Sequence, residues 1–133
     1  MRICITGGTG SLGQALVRRL LKDGAERIVV LSRDEVKQAR MAEELGDSPP
    51  MRWMLGDVRD RERLEAAMWG CEVVIAAAAL KRVDAVSGHP DELMKTNSRG
   101  IYNTSHAASA VGVKRVLVIS SDKAVAPLNL YGA

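Results

Sequence analysis

Phenylalanine is absent from this chain, and tyrosine, tryptophan and cysteine occur only twice each. With so few rings to stack on bases, and with its basic residues scattered, a net charge of +3 does not point to nucleic acid. No apolar run approaches the ~20 residues that span a bilayer; the longest is Val73 to Leu80. Cys4 lies inside a strand-like stretch and Cys71 just before another, without metal-ligand spacing or a nearby ligand cluster. Both read as small buried side chains in a reducing cytosol, and no metal site is expected. Strand and glycine turn begin at once, which leaves no place for a signal peptide and predicts a cytoplasmic protein with no membrane partner. At 47% hydrophobic and 26% charged residues the chain is globular, and its 133 residues allow one domain, 1–133. No internal repeat or low-complexity linker interrupts it.

What is present is a glycine turn in a definite setting. The apolar stretch Met1 to Thr6 runs into Gly7-Gly8-Thr9-Gly10-Ser11-Leu12-Gly13, after which Leu12, Leu16 and Leu20 recur at helical spacing. Strand, tight turn and helix in this order form the opening unit of a dinucleotide-binding fold. Gly7 is placed for backbone angles closed to other residues, Gly10 for close approach of a pyrophosphate, and Gly13 for packing the helix near the sheet. The helix start offers N–H groups and a positive dipole end to that pyrophosphate. Gly7, Thr9, Gly10, Ser11, Leu12 and Gly13 are therefore candidate cofactor residues.

Strand-like runs begin near Arg2, Glu26, Met51, Glu72 and Lys114, with helical patterns between them. The alternation predicts an α/β fold, a Rossmann-type doubly wound parallel sheet of about five strands in the order 3-2-1-4-5. The first helix is expected from Ser11 to Asp23, stopping at Gly24. A second opens at Asp34-Glu35 and ends by Gly46, and a third is capped by Asp60 and buries Leu64, Ala67 and Met68. Pro90 to Val111 is the longest helical candidate, with Leu93, Asn97, Ile101, Thr104 and Ala108 facing inward. Asn97 on that stripe must find partners, either by bridging backbone beneath a site or by ordering the site itself. Val116 to Ile119 is the fifth strand, and Ser120 to Tyr131 leaves its carboxyl end, where ligands gather in open parallel sheets.

The end of the second strand distinguishes the two nicotinamide cofactors. A carboxylate there would bind ribose hydroxyls, whereas cations and hydroxyls would accept a 2′-phosphate. Ser32 and Arg33, with Lys37 and Gln38 one turn on, favour NADP; a solvated Arg33 and Lys37 with Asp34 on the ribose is the other reading. Asp57-Val58 suits the adenine, or is a simple turn before the helix. Ala77, between Ala76 and Ala78, lets a flat cofactor lie against the backbone. Lys81 and Arg82 bring positive charge near phosphates, or form a solvated pair.

With the glycine turn, Ser32-Arg33-Asp34-Glu35, Gly56-Asp57-Val58, Ala78-Ala79-Leu80-Lys81, Lys95-Thr96-Asn97, and Ser121-Asp122-Lys123-Ala124-Val125 to Tyr131-Gly132-Ala133 in register, the chain resembles one family. It is similar to the start of the inverting UDP-N-acetylglucosamine 4,6-dehydratases, extended short-chain dehydrogenase/reductases of polysaccharide biosynthesis. The resemblance implies a lyase that uses NADP and a UDP-sugar, a homo-oligomer at full length. It places Tyr131 at the sugar 4-hydroxyl, Asp122 and Lys123 at the elimination across C5 and C6, with Lys123 the base, and Ser120 and Ser121 at the sugar. Lys81 would touch both cofactor and substrate phosphate. The family usually has histidine and proline where this chain has Arg82 and Asp84, and threonine where it has Ser121. A lysine four positions after Tyr131, further strands and a sugar-binding part are expected of the family beyond Ala133, so this length alone is expected to be inactive. A nucleotide-sugar C4 epimerase or reductase of the same superfamily and a non-catalytic NADP-sensing module are the alternatives.

Overall fold

The computed structural model describes residues 1–46, 48–80 and 88–133. Strands β1 (Arg2–Thr6), β2 (Arg27–Ser32), β3 (Met51–Leu55), β4 (Val73–Ala76) and β5 (Arg115–Val118) form one parallel sheet in the order β3-β2-β1-β4-β5. Helices α1 (Ser11–Lys22), α2 (Glu35–Leu45) and α3 (Arg61–Met68) connect the first four strands. After β4 come α4 (Pro90–Leu93), a π-helical segment (Met94–Arg99) and α5 (Gly100–Ala110), and a 3-10 turn (Asp122–Ala124) follows β5. The strand order is the one that the strand-helix alternation and the glycine turn predict.

Alternation along the strands divides the core between the two faces. Ile3, Ile5, Ile28 and Val30 pack on Val17 of α1 and Met41 of α2. Cys4, Val29, Leu31 and Val74 turn the other way, onto Leu64, Ala67 and Met68 of α3 and Ala107 and Ala108 of α5. Each fully buried aliphatic chain contributes roughly 1.5–3 kcal/mol. Burial pushes the thiols of both Cys4 and Cys71 up, as befits inert core cysteines. Helix starts follow the expected chemistry: Asp34 accepts from the Lys37 N–H at 2.9 Å, and Asp60 from the Arg63 N–H at 3.0 Å.

The helical run after Pro90 departs from the expected regular helix. It widens over Met94–Arg99 into π geometry before resuming as α5. Two observations accompany the widening. Asn97 clamps Leu80, accepting from its N–H at 2.8 Å and donating to its carbonyl at 3.0 Å. Gly100 crosses Val58 so closely that a Cβ would lie 2.6 Å from Val58 Cγ2. Asn97 thus finds its partners in the Leu80 backbone.

β5 lies at the edge of the sheet, with Val116, Leu117, Val118 and the following Ile119 all exposed. No helix among the described residues is long and apolar enough to cross a membrane.

Candidate functional site

The sheet order reverses between β1 and β4, and the glycine turn sits at that point. Gly7 has φ +69°, and a Cβ there would fall 2.7 Å from Ala78 Cα, so the turn lies flush against the chain leaving β4. Its N–H donates to the Leu31 carbonyl at 2.8 Å, and its own carbonyl accepts from Gly10 N–H at 3.0 Å. A side chain at Gly13 would run into the backbone of Gly8, so α1 closes onto the turn; the contact to the sheet belongs to Gly8, whose Cβ would meet Val30 Cγ1 at 2.8 Å. Gly8 was not singled out by the glycine spacing, and only the three-dimensional contact reveals its role. At the start of α1 there is no side-chain cap and no acidic residue in the first turn. These N–H groups and the helix dipole suit an anion.

A cleft of about 710 Å³ opens over this turn and brings together Gly7, Thr9, Gly10, Ser32, Arg33, Lys37, Val58 and Ala77. Ser11, Leu12 and Gly13, in the first turn of α1, do not line it. Gln38 is set back from the wall: buried, its amide nitrogen donates to Ser32 Oγ at 2.9 Å and to the Met54 carbonyl at 2.8 Å, bracing the ends of β2 and β3. Asp57 is drawn into an ionic chain. Its carboxylate accepts from Arg59 Nε at 3.0 Å and Nη2 at 2.8 Å, and Arg33 Nη1 stands 3.6 Å away. Arg59 reaches Glu92 at 2.8 Å on its other side. Burial raises the Asp57 pKa, but hydrogen bonds from Arg59 and the charges of Arg59 and Arg33 outweigh it and hold the carboxyl below its ordinary value. Lys37 Nζ lies 3.4 Å from Asp34.

A second cleft, also about 710 Å³, shares Ala77, Ala78 and Ala79 with the first and continues to Leu12, Asn97, Ser120, Ser121, Asp122 and Tyr131. It therefore gathers two hydroxyls, an acid and a phenol at the carboxyl end of β5. Lys123 is absent from its walls; 58% exposed, its Nζ sits 3.2 Å from Asp122 Oδ1. The Lys123 hydrogen bond, then its charge, keep the 88% exposed Asp122 carboxyl below the ordinary range. Ser121 Oγ donates to Asp122 and accepts from the Lys123 N–H, each at 3.2 Å. Lys81, Arg82 and Asp84 lie outside the described residues.

The two clefts meet at Ala77, Ala78 and Ala79, one over the glycine turn and the other beside Tyr131. Residues 3–133 match the model of a family described as polysaccharide biosynthesis protein. The chain belongs to this family. It is 47% identical over 132 residues to a UDP-N-acetylglucosamine 4,6-dehydratase (inverting) of Campylobacter jejuni subsp. jejuni serotype O:2, covering 98% of this chain and 39% of that protein. A UDP-glucose 4-epimerase of Rickettsia conorii is 42% identical over 134 residues, with 98% of this chain and 39% of the relative covered. Among solved structures, the dTDP-glucose 4,6-dehydratase DesIV from Streptomyces venezuelae, determined with NAD bound, superposes with a TM-score of 0.77 at 28% identity, over 87% of this chain and 38% of that one. The chain thus spans 39% of the length of these curated relatives. Relatives of this chain include nucleotide-sugar dehydratases and epimerases.

Proposed function

We propose that this chain is the NADP-binding portion of a C5-inverting UDP-N-acetylglucosamine 4,6-dehydratase. The observation that supports it most is the glycine cradle: Gly7 against Ala78, with the start of α1 left without cap or acid. These residues fit a dinucleotide. Gly7, Thr9, Gly10 and the N–H groups of Ser11, Leu12 and Gly13 would hold the pyrophosphate, Val58 and Ala77 would flank the adenine and the chain beyond it, and Ser32, Arg33 and Lys37 would meet the 2′-phosphate. When bound, NADP would supply reversible hydride chemistry at sugar C4 and C6.

The remaining work falls to the second cleft. Tyr131 Oη takes the proton of the sugar 4-hydroxyl as that carbon is oxidised. The resulting C4 ketone acidifies the C5 proton; Lys123 Nζ receives that proton and passes it to the departing C6 hydroxyl, which leaves as water. Asp122, held as carboxylate by its partners, positions the Lys123 amine at 3.2 Å. Lys123 does not line the cleft, so its Nζ would reach the sugar by rotation of its flexible stem. Ser120 and Ser121 bind sugar hydroxyls.

A C4 epimerase is the second reading, favoured by the 42% identity to UDP-glucose 4-epimerase and by Lys123 standing off the cleft. The test is to carry the chain to the length of its relatives, supply UDP-N-acetylglucosamine with NADP+, and identify the product. A 4-keto-6-deoxy sugar inverted at C5 supports the dehydratase; a C4 epimer that retains its 6-hydroxyl selects the epimerase.

A further inference from the structure

A third cleft, of about 230 Å³, lies between the first turns of α1 and the middle of α2. Thr9, Gly10 and Lys37 belong both to this cleft and to the one over the glycine turn, so the two are continuous. Its outer wall is Arg40, one helical turn beyond Lys37 on the same face of α2. The charges around it are not equally engaged. Glu44, also on the wall, is held by Arg18 at 2.7 Å; Lys37 has Asp34 at 3.4 Å, and Arg33 has Asp57 at 3.6 Å. Among the described residues no carboxylate comes within 4.0 Å of the Arg40 guanidinium.

We infer that Arg40, on the outer wall of this cleft, is a further specificity-determining residue for NADP, reaching the adenosine 2′-phosphate from the side opposite Arg33. The inference rests on the cofactor reading above. A phosphate leaving the ribose beside Ser32 and Arg33 meets Lys37 where the two clefts join, and Arg40 closes the far side with a planar fork of donors matched to phosphate oxygens. Gln14 stiffens the floor by donating to the Thr9 carbonyl at 3.0 Å. Neutralisation of Glu44 by Arg18 leaves the cleft positive, which a dianion favours and a bare 2′-hydroxyl does not use. NAD therefore gains nothing from Arg40.

The experiment is calorimetric titration of NADP+ and NAD+ into the chain and its Arg40→Gln and Arg40→Lys variants, at two salt concentrations. Expected are an approximately five-fold loss of NADP+ affinity in Arg40→Gln, no change for NAD+, a flatter salt dependence, and partial recovery in Arg40→Lys. An NADP+ to NAD+ affinity ratio unchanged by Arg40→Gln overturns the role of Arg40 and leaves the cofactor reading standing. Equal losses for both cofactors overturn it as well, by making Arg40 a general support. Failure of the unmodified chain to bind either cofactor removes the cofactor reading itself, and this inference with it.

Discussion

Arg33, just past β2, and Asp57, just past β3, face each other 3.6 Å apart beside the cleft over the glycine turn. The register that pairs Ser32 with Leu55 brings them together, and Arg59 then shares the Asp57 carboxylate. The effect is to hold Arg33 at the cleft while Arg59 balances the acid. A carboxylate that would otherwise repel a phosphate is thereby neutralised.

Asp57→Asn should cost about 1 kcal/mol at neutral pH, because the carboxylate is only 22% exposed and accepts charged hydrogen bonds. Its pKa is lowered by folding, so the stabilisation is present above the unfolded value of about 4 and is lost as pH falls through the lower folded value. Urea denaturation as a function of pH should show the two proteins differing by a constant amount above about pH 5 and converging below pH 4. A difference that grows on acidification would contradict the ionic chain.

Gly7→Ala places a methyl group 2.7 Å from Ala78 Cα at a residue with φ +69°. Loss of about 2 kcal/mol or more of stability is expected, together with loss of cofactor binding. Denaturant midpoint and titration calorimetry read the two effects separately.

Thr96 in the π-helical segment is 3% exposed, and its hydroxyl has no hydrogen-bond partner among the described residues. Thr96→Val keeps the shape and removes the orphaned group, so the chain should gain about 1 kcal/mol. Thermal unfolding would show a raised midpoint; a lowered one would mean the hydroxyl has a partner in solution.

In the protein carried to the length of its relatives, Lys123→Ala should abolish both product formation and solvent deuterium incorporation at C5 while cofactor affinity stays within about two-fold. Normal turnover would remove Lys123 from the elimination.

Much of this architecture was legible in the sequence because it rests on local rules. Apolar strands alternate with helices, Asp34 and Asp60 cap, and the glycine turn fixes where the sheet order reverses. What escaped depends on register and packing. The π-helical segment shifts the inward stripe, burying Thr96 and Gly100 where helical periodicity points to Asn97 and Ile101, which are only half-buried. The partners of Asp57 follow from β2 meeting β3, and Gln38, expected at the cofactor, is recruited by the Met54 carbonyl for the same reason. Arg40 looks like any solvated helix residue until α1 and α2 are seen to enclose a cleft.

The central claim, an NADP site built on the glycine turn and the end of β2, is tested most directly by calorimetric titration of the 133-residue chain with NADP+ and NAD+, alongside Arg33→Ala. The account predicts tighter binding of NADP+, with the preference falling about ten-fold in Arg33→Ala through loss of a charge-assisted phosphate contact. Equal affinities for the two cofactors, unmoved by Arg33→Ala, would contradict it.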